Sequence, residues 1–226
     1  MIGPDDAARA GFIRRHARLV APPLLPELRF WLAEEATDLW EASEAFLEET
    51  GLPPPYWAFA WAGGQALGRY VLDRPETVRG LRVLDYGAGA GLAAIAALKA
   101  GARSALAVDL DPFAAVATAL NGAENGCRPA TLTGDGTALD PAGFDVVLAA
   151  DVCYERATGA PSTDWLTAAA DRGVTVLIGD PGRAYLRTER LERIADYDVP
   201  TPTALENAPI TPTRVWRIAP GVTNSG

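Results

Sequence analysis

An apolar run that ends in an acidic residue and leads into three alternating glycines most constrains how this chain folds. The run is VLDYGAGAG, residues 83–91, and its glycines are Gly87, Gly89 and Gly91. Glycine adopts backbone dihedrals that other residues avoid, and it lets the main chain approach a ligand closely. The pattern therefore predicts a strand ending at Asp85, a tight turn that faces a ligand, and a helix that begins at Leu92.

Strands and helices are predicted to alternate along most of the chain after residue 63. Apolar strand patterns occur at residues 82–85, 105–109, 130–133, 145–150 and 174–179, and helical patterns at 64–72, 92–100, 112–125, 164–170 and 185–195. Strands that are buried on both faces are almost continuously apolar, as VVLAA and VTVLIG are. This order predicts an α/β fold with a mainly parallel, Rossmann-like sheet that helices cover on both faces.

The two ends of the chain depart from this alternation. Short strand patterns near residues 197–199 and in TRVWRI predict an antiparallel hairpin at the sheet edge. The N-terminal part contains predicted helices at 5–19 and 34–49 and a short strand at 28–32, and prolines end each helix. We therefore expect residues 1–52 to form a mostly helical N-terminal extension or cap, and residues 53–226 to form the main domain.

The composition limits the classes of binding partner and the cellular compartment that we expect for this chain. The chain has 226 residues, 49% of them hydrophobic, and a net charge of −9, so it can bury one sizeable core but would repel nucleic-acid phosphates. No apolar run approaches the roughly 20 residues that cross a bilayer. Cys127 and Cys153 lack metal-ligand spacing, so neither a disulfide nor a metal site is predicted. We expect a cytoplasmic protein of bacterial-looking composition, without nucleic-acid or membrane partners and of undetermined oligomeric state.

The glycine turn favours a cofactor that carries no phosphate groups. A dinucleotide fingerprint requires glycine at the sixth position of G-x-G-x-x-G, where this chain has Leu92. Asp85 would repel a pyrophosphate but attract an ammonium group. S-Adenosylmethionine carries an amino group and a sulfonium, so it is the predicted cofactor, and residues 53–226 are predicted to form a methyltransferase domain.

Carboxylates also follow the next two strands. Asp109 ends the second strand of the domain, where a carboxylate can accept hydrogen bonds from both ribose hydroxyls. Asp135, in TGDG, is placed to reach the adenine amino group, although an ordinary turn residue is an equal alternative. Leu110 and Ala149, which lie next to strand ends, complete the predicted cofactor-binding set.

The fourth strand of the domain leads into ADVCYE, residues 150–155. Asp151 is therefore predicted at the carboxyl end of the sheet, where α/β sheets bind their ligands. The pair Asp151-x-x-Tyr154 resembles the D-x-x-Y signature of seven-strand protein lysine methyltransferases. A carboxylate here can accept a hydrogen bond from an acceptor amine and Tyr154 can orient it, so both are predicted catalytic residues.

Longer strings resemble the electron transfer flavoprotein beta-subunit lysine methyltransferase family. They are PPPYWAFAWAGGQALGRYVLD, VLDYGAGAG, VDLDPFAAVATALN and VLIGDPGR, and together they cover most of residues 53–183. The resemblance implies a class I methyltransferase sheet of seven strands with an antiparallel C-terminal strand. It also implies that Asp151 and Tyr154 line a target-lysine pocket, that Trp61 helps to wall the cofactor, and that the flavoprotein beta subunit is the substrate.

Other interpretations stay open at this point. Sequences of this kind also resemble predicted nicotinamide N-methyltransferases, so a small-molecule amine is an alternative acceptor. A non-catalytic cofactor-binding module is a third hypothesis, which the set Asp85, Asp109, Asp151 and Tyr154 disfavours. In GDPGR, Arg183 either meets a substrate carboxylate or belongs to a structural turn.

Overall fold

The computed structural model describes residues 4–33, 54–206 and 208–221. Its strands in these ranges are β1 (Arg18–Val20), β2 (Phe30–Leu32), β3 (Arg82–Tyr86), β4 (Ser104–Asp109), β5 (Ala130–Thr133), β6 (Val146–Ala150), β7 (Thr175–Asp180), β8 (Leu191–Pro200) and β9 (Ile210–Ile218). Seven of them form one sheet in the order β5-β4-β3-β6-β7-β9-β8. The pairs among β3 to β7 are parallel, and β9 runs antiparallel to both of its neighbours. The predicted α/β, Rossmann-like sheet with an antiparallel C-terminal strand is confirmed.

Helices cover both faces of the sheet. Those in the described ranges are α1 (Pro4–His16), α2 (Ala62–Asp73), α3 (Leu92–Lys99), α4 (Pro112–Glu124), α5 (Arg156–Asp171) and α6 (Thr203–Glu206). Alternate residues of β6 enter two different cores: Val146 and Leu148 pack with α2 and α3, whereas Val147 and Ala149 pack with α5. This two-sided burial explains why the strands are continuously apolar. Within the part of the chain that is described, none of the helices is long and apolar enough to cross a membrane.

The described part of the N-terminal segment packs beside α4. The ring of Phe12 on α1 meets that of Phe113 edge-on with 5.5 Å between centroids, and β1 pairs with β2 as a small antiparallel unit. The amide of Trp31 donates a hydrogen bond of 2.6 Å to Oδ1 of Asn121 on α4. The acidic helix predicted at 34–49 lies outside the described residues.

The helix predicted at residues 185–195 is wrong. Residues 191–200 instead form β8, which pairs antiparallel with β9 along its whole length. Ile194, Ala195 and Tyr197 are partly buried against the core of α2 and α3. Pairing with β9 and burial of these side chains outweigh the local helical preference of the segment.

The helix predicted at 164–170 is confirmed but starts earlier than expected. It begins at Arg156 and contains Pro161. The start is packed closely, since a Cβ added to Gly159 would lie 2.9 Å from Cβ of Tyr185. Close packing therefore allows a helical turn that glycine and proline disfavour locally.

Candidate active site

A cavity of about 460 Å³ opens at the carboxyl ends of β3, β4 and β6. This is the edge at which open parallel sheets bind ligands. Of the charged residues that line it in the described part of the chain, Asp109, Asp111, Asp135 and Asp151 are acidic and Arg183 is basic. The cavity is therefore suited to a ligand that carries positive charge and hydroxyl groups rather than phosphates.

The glycine turn forms one wall of this cavity through Gly87 and Gly89. The backbone φ angles are 69° at Gly87, 51° at Gly89 and 80° at Gly91, all in the left-handed region. A Cβ at Gly87 would lie 2.7 Å from Cγ1 of Val152, so a side chain is excluded there on steric grounds as well. Gly91 is not among the lining residues; it directly precedes α3 and packs against Thr118.

Asp109 lines the cavity and also shapes the glycine turn. Its Oδ2 accepts a hydrogen bond of 2.8 Å from the amide of Gly89, and its Oδ1 accepts one of 2.9 Å from the amide of Asp111. Burial raises the pKa of Asp109, and the backbone amides oppose that rise. The adjacent Leu110 is 61% exposed at the cavity rim.

Asp135 lines the cavity near β5 but is itself exposed. Its Oδ1 accepts hydrogen bonds from the amide of Thr137 at 2.8 Å and from the hydroxyl of Thr137 at 2.7 Å. The carboxylate thus caps the short 3-10 helix that follows it. The turn role expected from the sequence is present, and Asp135 also lines the cavity, whereas its contact with an adenine amino group stays a prediction.

Two predicted cofactor residues lie beneath the cavity rather than on its wall. Asp85 is 2% exposed, and its Oδ2 accepts a hydrogen bond of 2.8 Å from the amide of Ala94 in the first turn of α3. Burial, together with the charge of Asp109, raises the pKa of Asp85 to about 7. Ala149 is fully buried in the core with α5, and its neighbour Ala150 lines the cavity instead.

Asp151 lies at the end of β6 in a backbone conformation that is unusual for its residue type. Its φ angle of 55° is left-handed, which costs about 1 kcal/mol or more outside glycine. Its Oδ2 accepts a hydrogen bond of 3.1 Å from the amide of Gly64, and its Oδ1 accepts two from Arg183. Burial raises the pKa of Asp151 to about 7 although Arg183 lowers it.

Aromatic side chains line the same cavity as Asp151. Tyr154, three residues later, is 40% exposed and its ring lies 5.0 Å from that of Tyr56. Trp61 precedes α2, and its indole N–H donates a hydrogen bond of 2.9 Å to the carbonyl of Tyr56. All three line the cavity, and Trp57 lines it while also stacking on Phe113 at 5.7 Å.

The sequence did not indicate every residue of the cavity. Tyr56, Asp111, Tyr86 and Ser162 line it without having been predicted. Asp111 does carry a local signal, because an acidic residue directly before a helix that starts with proline is typical of an N-cap. The hydrogen bond of 2.9 Å between the hydroxyls of Tyr86 and Ser162 joins residues 76 positions apart, so no local pattern could reveal it.

Comparisons with known proteins identify the family to which this sequence is similar. The family model for ribosomal protein L11 methyltransferase matches residues 65–153. The chain is 37% identical to an electron transfer flavoprotein beta subunit lysine methyltransferase of Xenopus laevis, over 92% of this chain and 86% of that protein. It is 39% identical to the protein of the same name from Danio rerio, over 95% of this chain and 84% of that protein.

Solved structures share the fold at low sequence identity. A magnesium protoporphyrin IX methyltransferase from Synechocystis PCC 6803 with bound S-adenosylmethionine superposes with a TM-score of 0.52. The two sequences are 18% identical, and the match covers 71% of this chain and 80% of that chain. At this identity the likeness supports the sheet architecture and nothing finer.

Proposed function

The chain belongs to the electron transfer flavoprotein beta subunit lysine methyltransferase family, and on that premise we propose that it transfers methyl groups from S-adenosylmethionine to lysine side chains of that subunit. The observation that carries the proposal is the position of Asp151 and Tyr154 on the wall of the cavity that the glycine turn also lines. A cytoplasmic location and a bacterial source stay predictions from composition, and the two relatives described above are animal proteins.

The cavity fits the proposed cofactor in size and in chemistry. Its volume of about 460 Å³ lies within the range of about 300–1,000 Å³ that is usual for small-molecule sites. Gly87 and Gly89 let the backbone reach the ligand, and Asp109 offers carboxylate oxygens where ribose hydroxyls are expected. The surplus of carboxylates favours a ligand with a sulfonium and an amino group over one with phosphates.

Methyl transfer depends more on the positioning of the acceptor amine than on its chemical activation by the protein. When bound, S-adenosylmethionine supplies a methyl group that its sulfonium already activates. Lysine has a reference pKa of about 10.4, so its proton has to leave to water before the amine can react. Asp151 accepts a hydrogen bond from the amine and offsets the positive charge that builds on nitrogen. Because the same carboxylate also favours the ammonium form, its role is binding and orientation rather than general-base catalysis.

The openness of the cavity supports a protein acceptor over a free amine. Tyr154 and Leu110 are 40% and 61% exposed, so among the described residues the cavity opens to solvent next to Tyr154, three residues from the buried Asp151. A small-molecule enzyme instead gains from closing its pocket and excluding water. Nicotinamide or another small amine is retained as the second candidate, because the acidic lining would attract a protonated small amine and would offset the positive charge that methylation places on a ring nitrogen.

Intact-mass analysis tests the proposal directly. Purified electron transfer flavoprotein is incubated with S-adenosylmethionine and the enzyme, and its beta subunit should gain mass in methyl increments. The matched control is Asp151→Asn, which should give a much smaller gain. If the flavoprotein stays unmodified while nicotinamide turns over, the small-molecule alternative is correct; if no amine acceptor gains a methyl group, the result supports the non-catalytic module.

A further inference from the structure

One arginine bridges two carboxylates beside the cavity. Nε and Nη2 of Arg183 donate hydrogen bonds of 3.0 and 2.7 Å to Oδ1 of Asp151. On its other side, Nη1 and Nη2 donate bonds of 2.9 and 2.6 Å to the two oxygens of Glu206. The side chains of Arg183, Asp151 and Glu206 are 20%, 10% and 6% exposed, so solvent screens this network little.

The network connects three separate parts of the fold. Asp151 ends β6, Arg183 follows β7, and Glu206 lies on α6 between β8 and β9. The guanidinium also lies 5.6 Å from the centre of the Trp61 ring, a distance typical of a cation–π contact. Because these contacts engage the guanidinium of Arg183 with protein groups, they argue against a contact between Arg183 and a substrate carboxylate, which the sequence had left open.

The carboxylate of Asp180 adds negative charge next to the network of Asp151, Arg183 and Glu206. Oδ1 of Asp180 accepts hydrogen bonds from the amides of Gly182 and Arg183 at 2.6 and 2.7 Å. Its Oδ2 is buried and has no hydrogen-bond partner within the described residues. The charges of Asp180 and Glu206 therefore disfavour the ionised form of Asp151, and Arg183 opposes them.

We infer that Arg183 is a positioning residue that favours the ionised form of the Asp151 carboxylate against the effect of burial and orients it for the acceptor amine, while Glu206 holds the other side of the guanidinium. The inference rests on the proposed function for its catalytic consequence. Methyl transfer leaves positive charge on the acceptor nitrogen, and a protonated Asp151 could not offset it. Arg183 acts through Asp151 and does not itself touch the acceptor.

A carboxyl titration by ¹³C NMR tests the electrostatic part without any acceptor. The Asp151 signal is assigned by its loss in Asp151→Asn. In Arg183→Gln its midpoint should rise by about 1–3 pH units, the effect of losing an opposite charge at contact distance. In Glu206→Gln the midpoint should fall instead, because a neighbouring negative charge is removed while a hydrogen-bond acceptor for Arg183 remains.

The opposite directions of the Asp151 midpoint shifts in Arg183→Gln and Glu206→Gln distinguish this role from simple destabilisation of the fold. Arg183→Lys keeps the charge, so its Asp151 midpoint should lie between those of the parent and Arg183→Gln. This variant also keeps the test decisive if Arg183→Gln fails to fold. The matched control is Arg187→Gln, since Arg187 pairs with Asp164 on the exposed surface. An unchanged Asp151 midpoint in Arg183→Gln and Arg183→Lys, or a rise in Glu206→Gln, overturns the inference.

Kinetics on the full chain test the catalytic consequence. With an acceptor that the parent methylates, Arg183→Gln should lower kcat by roughly 10- to 100-fold, the effect of losing a charge-assisted contact, and should move the acidic limb of the rate profile to higher pH. An unchanged acidic limb would overturn the positioning role. A parent that methylates no acceptor would instead overturn the proposed function, while the titration still decides whether Arg183 sets the charge of Asp151.

Discussion

The carboxylate of Asp109 accepts a hydrogen bond of 2.8 Å from the amide of Gly89. This bond ties the end of β4 to the glycine turn that follows β3, so two segments that both line the cavity hold each other in place. The second carboxylate oxygen of Asp109 accepts a hydrogen bond from the amide of Asp111, the residue that caps α4. Any change at Asp109 therefore acts on the shape of the cavity as well as on the proposed contact to the cofactor.

Asp109→Ala should weaken binding of S-adenosylmethionine by about 2–4 kcal/mol. The variant removes the charge-assisted hydrogen bonds that Asp109 is proposed to accept from the ribose, each worth about 1.5–3 kcal/mol before compensation, and it releases the amide of Gly89. Titration calorimetry on the folded variant measures the loss, with Asp164→Ala as the exposed control. An affinity equal to that of the parent would place the ribose elsewhere in the cavity.

Gly91→Ala should destabilise the protein more than Gly80→Ala. Both glycines have left-handed φ angles, 80° and 74°, so both variants cost about 1–2 kcal/mol of backbone strain. A Cβ at Gly91 would also lie 2.6 Å from Oγ1 of Thr118, whereas nothing lies within 4 Å of a Cβ at Gly80. Overpacking adds about 1–3 kcal/mol for Gly91→Ala alone. Equal losses of Tm in thermal unfolding would contradict this.

The sheet could be predicted because its signals are local. Four of the five parallel strands, β3, β4, β6 and β7, are mainly apolar, and β3, β4 and β6 each end within one residue of the predicted position. The exposed β5 is marked instead by Pro129 before it and Gly134 after it. The segment 185–195 lacked such a signal. Its strand exists because β9 offers a partner edge and because Ile194 and Tyr197 pack on the core, and both causes are distant in sequence.

The site could be predicted in part for the same reason. Asp109, Asp151 and Tyr154 follow strand ends, and strand ends in a parallel sheet converge on one edge. The contact of Arg183 with Glu206 could not be predicted, because it depends on a hairpin folding back across the sheet. The same is true of Asp85, whose place beneath the cavity follows from the register of α3 on β3.

Asp85→Asn should stabilise the protein at pH 8, and the gain should shrink as the pH falls toward 4. Burial raises the pKa of Asp85 from 3.8 to about 7. A carboxyl whose folded pKa lies above its unfolded value contributes stability below the unfolded pKa and loses it as the pH rises through about 7. Asparagine is neutral throughout and still accepts the bond from Ala94. Each 1 kcal/mol of gain should raise Tm by about 2–4 °C in a chain of this length.

Cofactor affinity measured on the same variant separates two roles of Asp85. If the carboxylate only supports α3 through Ala94, Asp85→Asn keeps the affinity for S-adenosylmethionine while Tm rises. If it also attracts the ammonium group of the cofactor, the affinity falls despite the higher Tm. A Tm that is lower at pH 8 than that of the parent would contradict the burial argument itself.

Asp151→Asn should abolish most methyl transfer while leaving cofactor binding nearly unchanged. Asparagine keeps the size of the side chain, tolerates the left-handed φ of 55° and still accepts a hydrogen bond from Arg183, but its amide nitrogen cannot accept the bond from Gly64, so the substitution removes the charge and one hydrogen bond. Loss of a preorganised electrostatic contact of this type costs about 10²–10³ in rate. Tyr154→Phe should cost less, because the ring that packs 5.0 Å from Tyr56 remains and one orienting hydroxyl is lost.

Single-turnover assays with a saturating acceptor separate this catalytic role from a structural one. Both variants should bind S-adenosylmethionine as the parent does, since Asp109 and the glycine turn are untouched. Tyr154→Phe should keep the melting temperature of the parent, whereas Asp151→Asn should lose both rate and some melting temperature, because Arg183 loses one of its two carboxylate partners. If Asp151 instead serves mainly to hold the loop through Gly64 and Arg183, the variant would lose melting temperature and keep its specific rate. That result would remove Asp151 from the acceptor site and leave Tyr154 as the residue that defines it.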